Sequence, residues 1–129
     1  MSKKARVLLV TPNLKGMKNG VNRIQPGLGI GYLAAVLREG GHEVFVRDTA
    51  LEGYDNISDL EEKELIMIGE SDEEIENYIF NLAPDIVGIS ALFSNLMEHS
   101  HTIARITKKI NSKTTVILGG NHISNAVVD

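Results

Sequence analysis

The chain has 129 residues, of which 43% are hydrophobic, so its length and composition fit one globular domain with a buried core. Its net charge of −4 disfavours a nucleic-acid partner, because nucleic acids are bound by basic surfaces. The absence of cysteine excludes disulfides, Cys-ligated zinc and an iron–sulfur cluster held by this chain. No apolar run approaches the ~18 residues of a membrane span. We therefore expect one cytoplasmic domain over residues 1–129.

The first part of the sequence predicts a strand, a long loop, a helix and a second strand. Residues 7–10 form a continuous apolar run, as in a parallel strand covered on both faces. The loop over 11–29 is much longer than the usual ~2–6 residues and is rich in glycine and proline, which favours a functional loop. A β-branched and aromatic run at 44–46 predicts the next strand. The helix between them carries an apolar stripe at helical spacing, formed by Ile30, Leu33, Ala34 and Leu37.

An acidic segment over residues 49–69 follows, and we interpret its charges as a solvated face. Within it, residues 65–68 are apolar and predict either a short strand or the end of a helix. Ser71 with Glu74 forms a capping box, which predicts a helix starting at this point.

Residues 86–90 predict a third strand and residues 115–118 a fourth, separated by a helix. We therefore predict an α/β fold of flavodoxin-like (Rossmann-like) type, in which a parallel sheet of order 2-1-3-4 lies between two helical layers. No fifth strand is evident before Asp129, so we expect the fourth strand to be an edge and the chain to be a fragment of a longer protein. The side chains that face the sheet from the last helix are predicted to be Leu96, His99, Ile103, Ile106 and Ile110.

The carboxyl ends of parallel strands meet at one edge of the sheet, and ligands bind there in such folds. The loops that converge on this edge are 11–29, 90–94 and 119–124. A phosphoacceptor domain would need acidic residues in these loops, but Asn13 and Ser90 occupy the relevant places. Gly27 and Gly29 lack the spacing of a dinucleotide-binding loop, and Ser90 lacks the nucleophile elbow of a hydrolase. A sugar-nucleotide transferase half-domain is a minor alternative.

The four histidines have different expected roles. His42 lies at a helix-to-strand turn and is predicted to be structural. His99 and His101 are two residues apart on one helix, so they cannot share a face as ligands. His122 follows two glycines at the expected site and is a candidate ligand contact.

Several segments, taken in order, carry a resemblance to a known family. They read Pro26-x-Leu28-Gly29-x-x-Tyr32-Leu33-Ala34-Ala35-x-Leu37 with Gly41-His42-Glu43-Val44, then Glu52-Gly53-Tyr54-Asp55-Asn56, Gly69-x-Ser71-Asp72-Glu73-Glu74-Ile75, Pro84-Asp85-Ile86-Val87-Gly88-Ile89-Ser90, and Leu118-Gly119-Gly120-x-His122-x-Ser124. Over nearly the whole chain, this set resembles the cobalamin-binding domain that precedes the catalytic barrel of B12-dependent radical SAM proteins.

The resemblance implies a set of cofactor contacts. In the wider cobalamin family an Asp-x-His-x-x-Gly motif follows the first strand, and its histidine binds cobalt. Aligning the helix starts places Ile24, Pro26 and Gly29 at these three positions, so the glycine matches and the ligating histidine is missing. The implied cofactor-binding residues are Asn13, Pro26, Gly27, Leu28, Gly29, Ser90, Leu92, Gly119, Gly120 and His122, and no metal ligand is implied.

The resemblance therefore implies base-off cobalamin with no protein histidine on cobalt. It also implies a following radical SAM domain as partner, which would carry a 4Fe-4S cluster and S-adenosylmethionine for methyl transfer or oxidative cyclisation. This chain itself is expected to bind cofactor without catalysing a reaction. The alternative is a flavodoxin-like interaction or regulatory module that no longer binds cobalamin.

Overall fold

The computed structural model describes residues 4–17, 28–60, 65–90, 97–119 and 126–128, which form two sheets and four helices. The strands of the main sheet are β1 (Arg6–Thr11), β3 (Glu43–Asp48), β6 (Ile86–Ser90), β7 (Thr115–Gly119) and β8 (Ala126–Val128). Their order across the sheet is β3-β1-β6-β7-β8. The helices are α1 (Leu28–Glu39), α2 (Thr49–Glu52), α3 (Asp72–Leu82) and α4 (Met97–Ile110).

The first four strands of this order are parallel, as the sequence predicts. β1, β3, β6 and β7 are the predicted strands one, two, three and four. Their order in the sheet, β3-β1-β6-β7, therefore confirms the predicted order 2-1-3-4. β1 is an interior strand of the sheet: Val7 pairs with both Val44 and Ile86, and Val10 pairs with both Arg47 and Ile89. A continuous apolar run suits this position because both of its faces are buried.

Alternating side chains of the sheet bury against helices on its two faces, which confirms the three-layer arrangement. One face packs on α1, and its core contains Val7, Leu9, Ala34 and Val44, with Ile30 and Leu37 alongside. The other face packs on α3 and α4 and has the larger core, which contains Leu8, Val10, Ile75, Ile79, Val87, Ile89, Ile103, Ala104, Val116 and Leu118.

The short strand β8 was not predicted. It runs antiparallel to β7, pairing Leu118 with Ala126 and Val116 with Val128. The expectation that the fourth strand is a free edge is therefore wrong. A three-residue strand gives almost no periodic signal in a sequence, so it forms a strand because it pairs with a neighbour and not because of its local sequence.

A second, antiparallel sheet was also missed. It has the order β2-β5-β4 and is built from β2 (Leu14–Met17), β4 (Ile57–Asp59) and β5 (Leu65–Ile68). The apolar run at 65–68 is thus a strand, with Ile66 and Ile68 buried. β2 occupies residues 14–17 of the segment that the sequence predicts as a long loop, so this part of the segment is a strand paired with β5. Among the described residues, no helix is long and apolar enough to cross a membrane.

Helix α3 begins with the predicted capping box. The Ser71 hydroxyl accepts a hydrogen bond from the Glu74 backbone N–H at 3.1 Å, and the Ser71 N–H donates to the Glu74 carboxylate at 3.0 Å. This backbone donation, with further hydrogen bonds from the Ser71 and Asn56 side chains, lowers the pKa of Glu74. The ionised form is therefore favoured on folding, and its contribution to stability is lost as the pH falls into the acid range.

We expect Ser71→Ala to lower the free energy of unfolding by about 1 kcal/mol, because the first turn of α3 loses its side-chain acceptor. Urea denaturation at neutral pH measures this loss. Ser58→Ala, on the exposed strand β4, is the matched control and should behave like wild type. Equal stability of Ser71→Ala and wild type would contradict the assigned role of the cap.

Candidate functional site

The candidate site lies where β1, β6 and β7 end. Ser90 and Gly119 are register partners at the carboxyl ends of neighbouring strands, so two predicted contacts lie side by side. Both residues are partly exposed. The Ser90 carbonyl accepts a hydrogen bond from the Ser100 hydroxyl at 3.2 Å, which attaches this strand end to α4.

Gly119 has free space beside it within the described part of the chain. A Cβ built on this residue would have no atom of the described residues within 4 Å. Gly88 lies in the neighbouring strand β6, two residues before Ser90. It differs from Gly119 because a Cβ there would press against Leu9. The glycine at the end of β7 is therefore not required by the packing of the described residues, and its missing side chain leaves room for another molecule.

Asn13 follows β1 and is buried, with only 4% of its surface exposed. Its backbone N–H donates to His99 Nδ1 at 2.9 Å, and its side-chain Nδ2 donates to the Glu70 carbonyl at 2.9 Å. Gly69, at φ +146°, lies so close that any Cβ on it would overlap the Asn13 amide. Asn13 thus connects the end of β1 to α4 and to the segment after β5. Whether it also contacts a cofactor remains a prediction.

A nearly buried ion pair holds β3 against the same segment. Arg47 donates two hydrogen bonds to the Glu70 carboxylate, at 3.0 Å and 2.6 Å, and its guanidinium lies 4.1 Å from the centre of the Tyr78 ring. The hydrogen bonds to Glu70 raise the pKa of Arg47, against the opposing effect of burial. The two hydrogen bonds compensate the charges of Arg47 and Glu70, and the guanidinium also stacks on the Tyr78 ring. The pair therefore holds β3 and the segment before α3 together next to the candidate site.

His99 is buried, with 6% of its surface exposed, and it faces the sheet as predicted. Burial lowers the pKa of His99, and the nearby Asp72 partly opposes that effect. Because Nδ1 accepts the Asn13 N–H, the ring is neutral and its proton is on Nε2. Within the described part of the chain, His99 Nε2 and Asn13 Oδ1 are buried without hydrogen-bond partners.

This lowered pKa predicts a pH dependence of folding. The unfolded chain binds a proton at His99 near the ordinary pKa of ~6.5, whereas the folded chain does so only at lower pH. The neutral ring therefore contributes fully above ~6.5, and that contribution is lost as the pH falls toward the folded value. We expect His99→Asn to lose less stability than wild type between pH 7.5 and pH 5.5, as measured by urea denaturation.

The matched control is His101→Asn, because His101 is exposed on the same helix. This variant should keep the wild-type dependence of stability on pH. If His99→Asn also kept it, the assignment of a buried neutral histidine would be wrong.

The structure describes only some of the other predicted cofactor contacts. Pro26, Gly27, Leu92, Gly120 and His122 lie outside the described residues, so their roles remain predictions. Leu28 and Gly29 form the start of α1, whereas the sequence predicts them as the end of the loop over 11–29, so the helix begins earlier than predicted. Their contact with a cofactor remains a prediction.

His42 is at the opposite end of the sheet. Its Nδ1 accepts the Ala5 N–H at 3.1 Å, which is the structural role that the sequence predicts. Among the described residues, no group of three or more side chains is arranged to hold a metal ion.

Sequence reasoning missed three features of this edge, namely the buried Glu70, its partly buried partner Arg47 and the unpartnered nitrogen of His99. One signal was present: His99 occupies a position of the apolar stripe of α4, where a polar residue needs a reason. The Arg47–Glu70 pair joins residues 23 positions apart and left no local signal.

Comparison with known proteins supports a single family. The model of the B12 binding domain matches residues 14–127, which is most of the chain. The chain is 32% identical over 118 residues to cytidylyl-2-hydroxyethylphosphonate methyltransferase of Streptomyces wedmorensis, covering 91% of this chain and 22% of that protein. It is 33% identical over 118 residues to an uncharacterized methyltransferase of Pyrococcus horikoshii, covering 92% of this chain and 22% of the relative.

A more distant relative has a different type of activity. The chain is 27% identical over 117 residues to the anaerobic magnesium-protoporphyrin IX monomethyl ester cyclase of Rubrivivax gelatinosus, covering 91% of this chain and 18% of that protein. In each case the chain spans about a fifth of the length of the relative. Since the family match covers almost all of the described strands and helices, this chain belongs to the B12-binding domain family.

Proposed function

We propose that this chain binds cobalamin with its base off and without a histidine on cobalt, and presents it to a radical SAM catalytic domain. The observation that carries the proposal is the pair of register partners Ser90 and Gly119, where no described residue fills the space beside the glycine, inside a chain of the B12-binding family. The 4Fe-4S cluster and S-adenosylmethionine would belong to that catalytic domain.

The residues present fit the cofactor at three points. Gly119 leaves a gap that a Cβ would fill, as a close approach by a large ligand requires. Ser90 places a small polar side chain beside that gap. His99 provides a buried N–H without a partner among the described residues. A bulky ligand with polar substituents suits such a surface better than a small anion does.

This chain's own residues would bind and orient the group. Ser90 and Gly119 would border it at the ends of β6 and β7, while Asn13 would hold the end of β1 in place through its bonds to His99 and Glu70. When bound, cobalamin supplies a redox-active cobalt centre. The predicted contacts Pro26, Gly27, Gly120 and His122 would complete the pocket.

The absence of a histidine ligand rests on where the described histidines lie. His42 is at the opposite end of the strands, His101 is exposed on α4, and His99 uses Nδ1 as an acceptor for Asn13. Pro26, at the position of the family's ligating histidine, has no side-chain nitrogen that could bind cobalt.

We propose methyl transfer as the reaction served by the domain, since two relatives are named methyltransferases. Oxidative cyclisation is the second candidate, since another relative is named a cyclase. The share of each relative that this chain covers is about a fifth, so the reaction would depend mainly on residues in another domain.

The cobalt environment can be tested by electron spin resonance of the chain loaded with cob(II)alamin. We expect a base-off signal without nitrogen splitting, identical in wild type and His122→Ala. A nitrogen splitting that changes when the protein histidines are labelled with 15N would show a histidine ligand. Such a result would overturn the histidine-free part of the proposal and leave cofactor binding intact.

A further inference from the structure

The buried Nε2–H of His99 has no hydrogen-bond acceptor among the described residues. Its Nδ1 is fixed as an acceptor by the Asn13 N–H, and burial lowers the pKa of the ring, so Nε2 carries the proton at neutral pH. Nε2 is nevertheless buried without a partner among the described residues. An unsatisfied buried donor is costly and rare in native proteins, so this atom calls for a partner from outside the described chain.

The position of the ring connects this donor to the candidate site. On one side, His99 is bonded to Asn13, which follows β1. On the other side, the next residue of α4 is Ser100, whose hydroxyl donates to the carbonyl of Ser90 at the end of β6. Helix α4 therefore contacts two strand ends that border the site, β1 through His99 and β6 through Ser100, and Gly119 is the neighbour of Ser90 on the next strand.

We propose that His99 Nε2–H donates a hydrogen bond to an oxygen of bound cobalamin. The proposal rests on the function proposed above. Cobalamin offers two sources of such oxygens: the amide carbonyls around its corrin ring and the phosphate of its nucleotide tail. The neutral ring with a fixed tautomer suits either acceptor, because it offers one donor in one direction.

The same geometry gives His99 a second role as a positioning residue for the end of β1. Its Nδ1 fixes the backbone of Asn13, whose side chain in turn holds Glu70. One imidazole thus connects the framework of the site to the cofactor. Substitutions that keep one nitrogen function and remove the other can separate these two roles.

Asparagine can replace Nδ1 as the acceptor for Asn13 but does not reach the position of Nε2, whereas glutamine can place an amide N–H near that position. We therefore expect His99→Asn to bind cobalamin about five- to tenfold more weakly than wild type, as for the loss of one buried hydrogen bond. His99→Gln should recover most of that loss. His101→Asn, exposed on the same helix, should bind like wild type.

Titrations with cobalamin and with cobinamide, which lacks the nucleotide tail, separate the two sources of oxygen. If the acceptor is in the tail, the defect of His99→Asn disappears with cobinamide. If the acceptor is a corrin amide, the defect persists. Either pattern supports the proposal, and equal cobalamin affinities of wild type and His99→Asn would overturn it.

A second measurement needs no variant. In the wild-type chain labelled with 15N-histidine, we expect the Nε2–H tautomer of His99 before cofactor is added. After cobalamin is added, its Nε2 proton should exchange more slowly with water and shift downfield. An unchanged signal in a chain that demonstrably binds cobalamin would overturn the inference alone. Failure of the wild-type chain to bind cobalamin would instead refute the proposed function on which the inference rests.

Discussion

Replacing Gly119 by valine is expected to leave the fold intact and to weaken cobalamin binding by at least about a hundredfold. A Cβ at this position meets no atom of the described residues within 4 Å, so these residues leave room for the new side chain. Valine also suits a strand backbone. The same open space is where the proposed cofactor would pass, and a branched side chain would fill it. The predicted effect is thus on binding and not on stability.

Calorimetric titration and urea denaturation of the same preparations test both halves of this prediction. Thr115→Val, at the amino end and exposed face of β7, is the matched control and should bind cofactor like wild type. Cobalamin affinity of Gly119→Val equal to that of wild type would place the cofactor elsewhere. A large loss of stability would mean that the glycine serves packing.

Gly53→Ala should produce the opposite pattern and lower the free energy of unfolding by about 2–3 kcal/mol. A Cβ on Gly53 would overlap backbone atoms of Gly69 and Glu70. This backbone cannot move without cost, since the Glu70 N–H donates to the Thr49 carbonyl at 3.0 Å and the Gly69 N–H donates to the Asn56 carbonyl at 3.1 Å. Forcing the segments apart would also disturb the burial of Glu70 against Arg47.

Gly31→Ala is the matched control for this substitution. Gly31 is exposed in α1, and an added Cβ there meets no atom of the described residues within 4 Å. Alanine in a helix interior should stabilise the chain by about 0.5–1 kcal/mol relative to glycine. Urea denaturation of both variants measures the contrast. If Gly53→Ala were as stable as wild type, the close contact between α2 and the segment before α3 would be wrong.

The parallel sheet could be predicted from the sequence because each of its main strands has a local signal. Residues 7–10 and 86–89 are continuous apolar runs, and helical stripes separate them. Strand order followed from the general topology of such folds, and that topology brought Ser90 and Gly119 together. Ser71 with Glu74 marked a helix start because capping chemistry is local.

Features that depend on distant partners could not be predicted. β8 and each strand of the β2-β5-β4 sheet have only three or four residues, which is too short for an alternation of apolar and polar residues to be evident. Leu33 was placed on the buried stripe of α1, yet it is 45% exposed, whereas Ile30, Ala34 and Leu37 of the same stripe pack in the core. The bond between Asn13 and His99 joins residues 86 positions apart, so only the folded chain shows it.

Titration of the 129-residue chain with hydroxocobalamin tests the central claim most directly. We predict saturable binding of one cofactor per chain, visible in the absorbance spectrum of cobalamin and lost in Gly119→Val. Absence of binding by the folded wild-type chain at high micromolar cofactor would contradict the account. The fold would then serve as a flavodoxin-like interaction or regulatory module that no longer binds cobalamin.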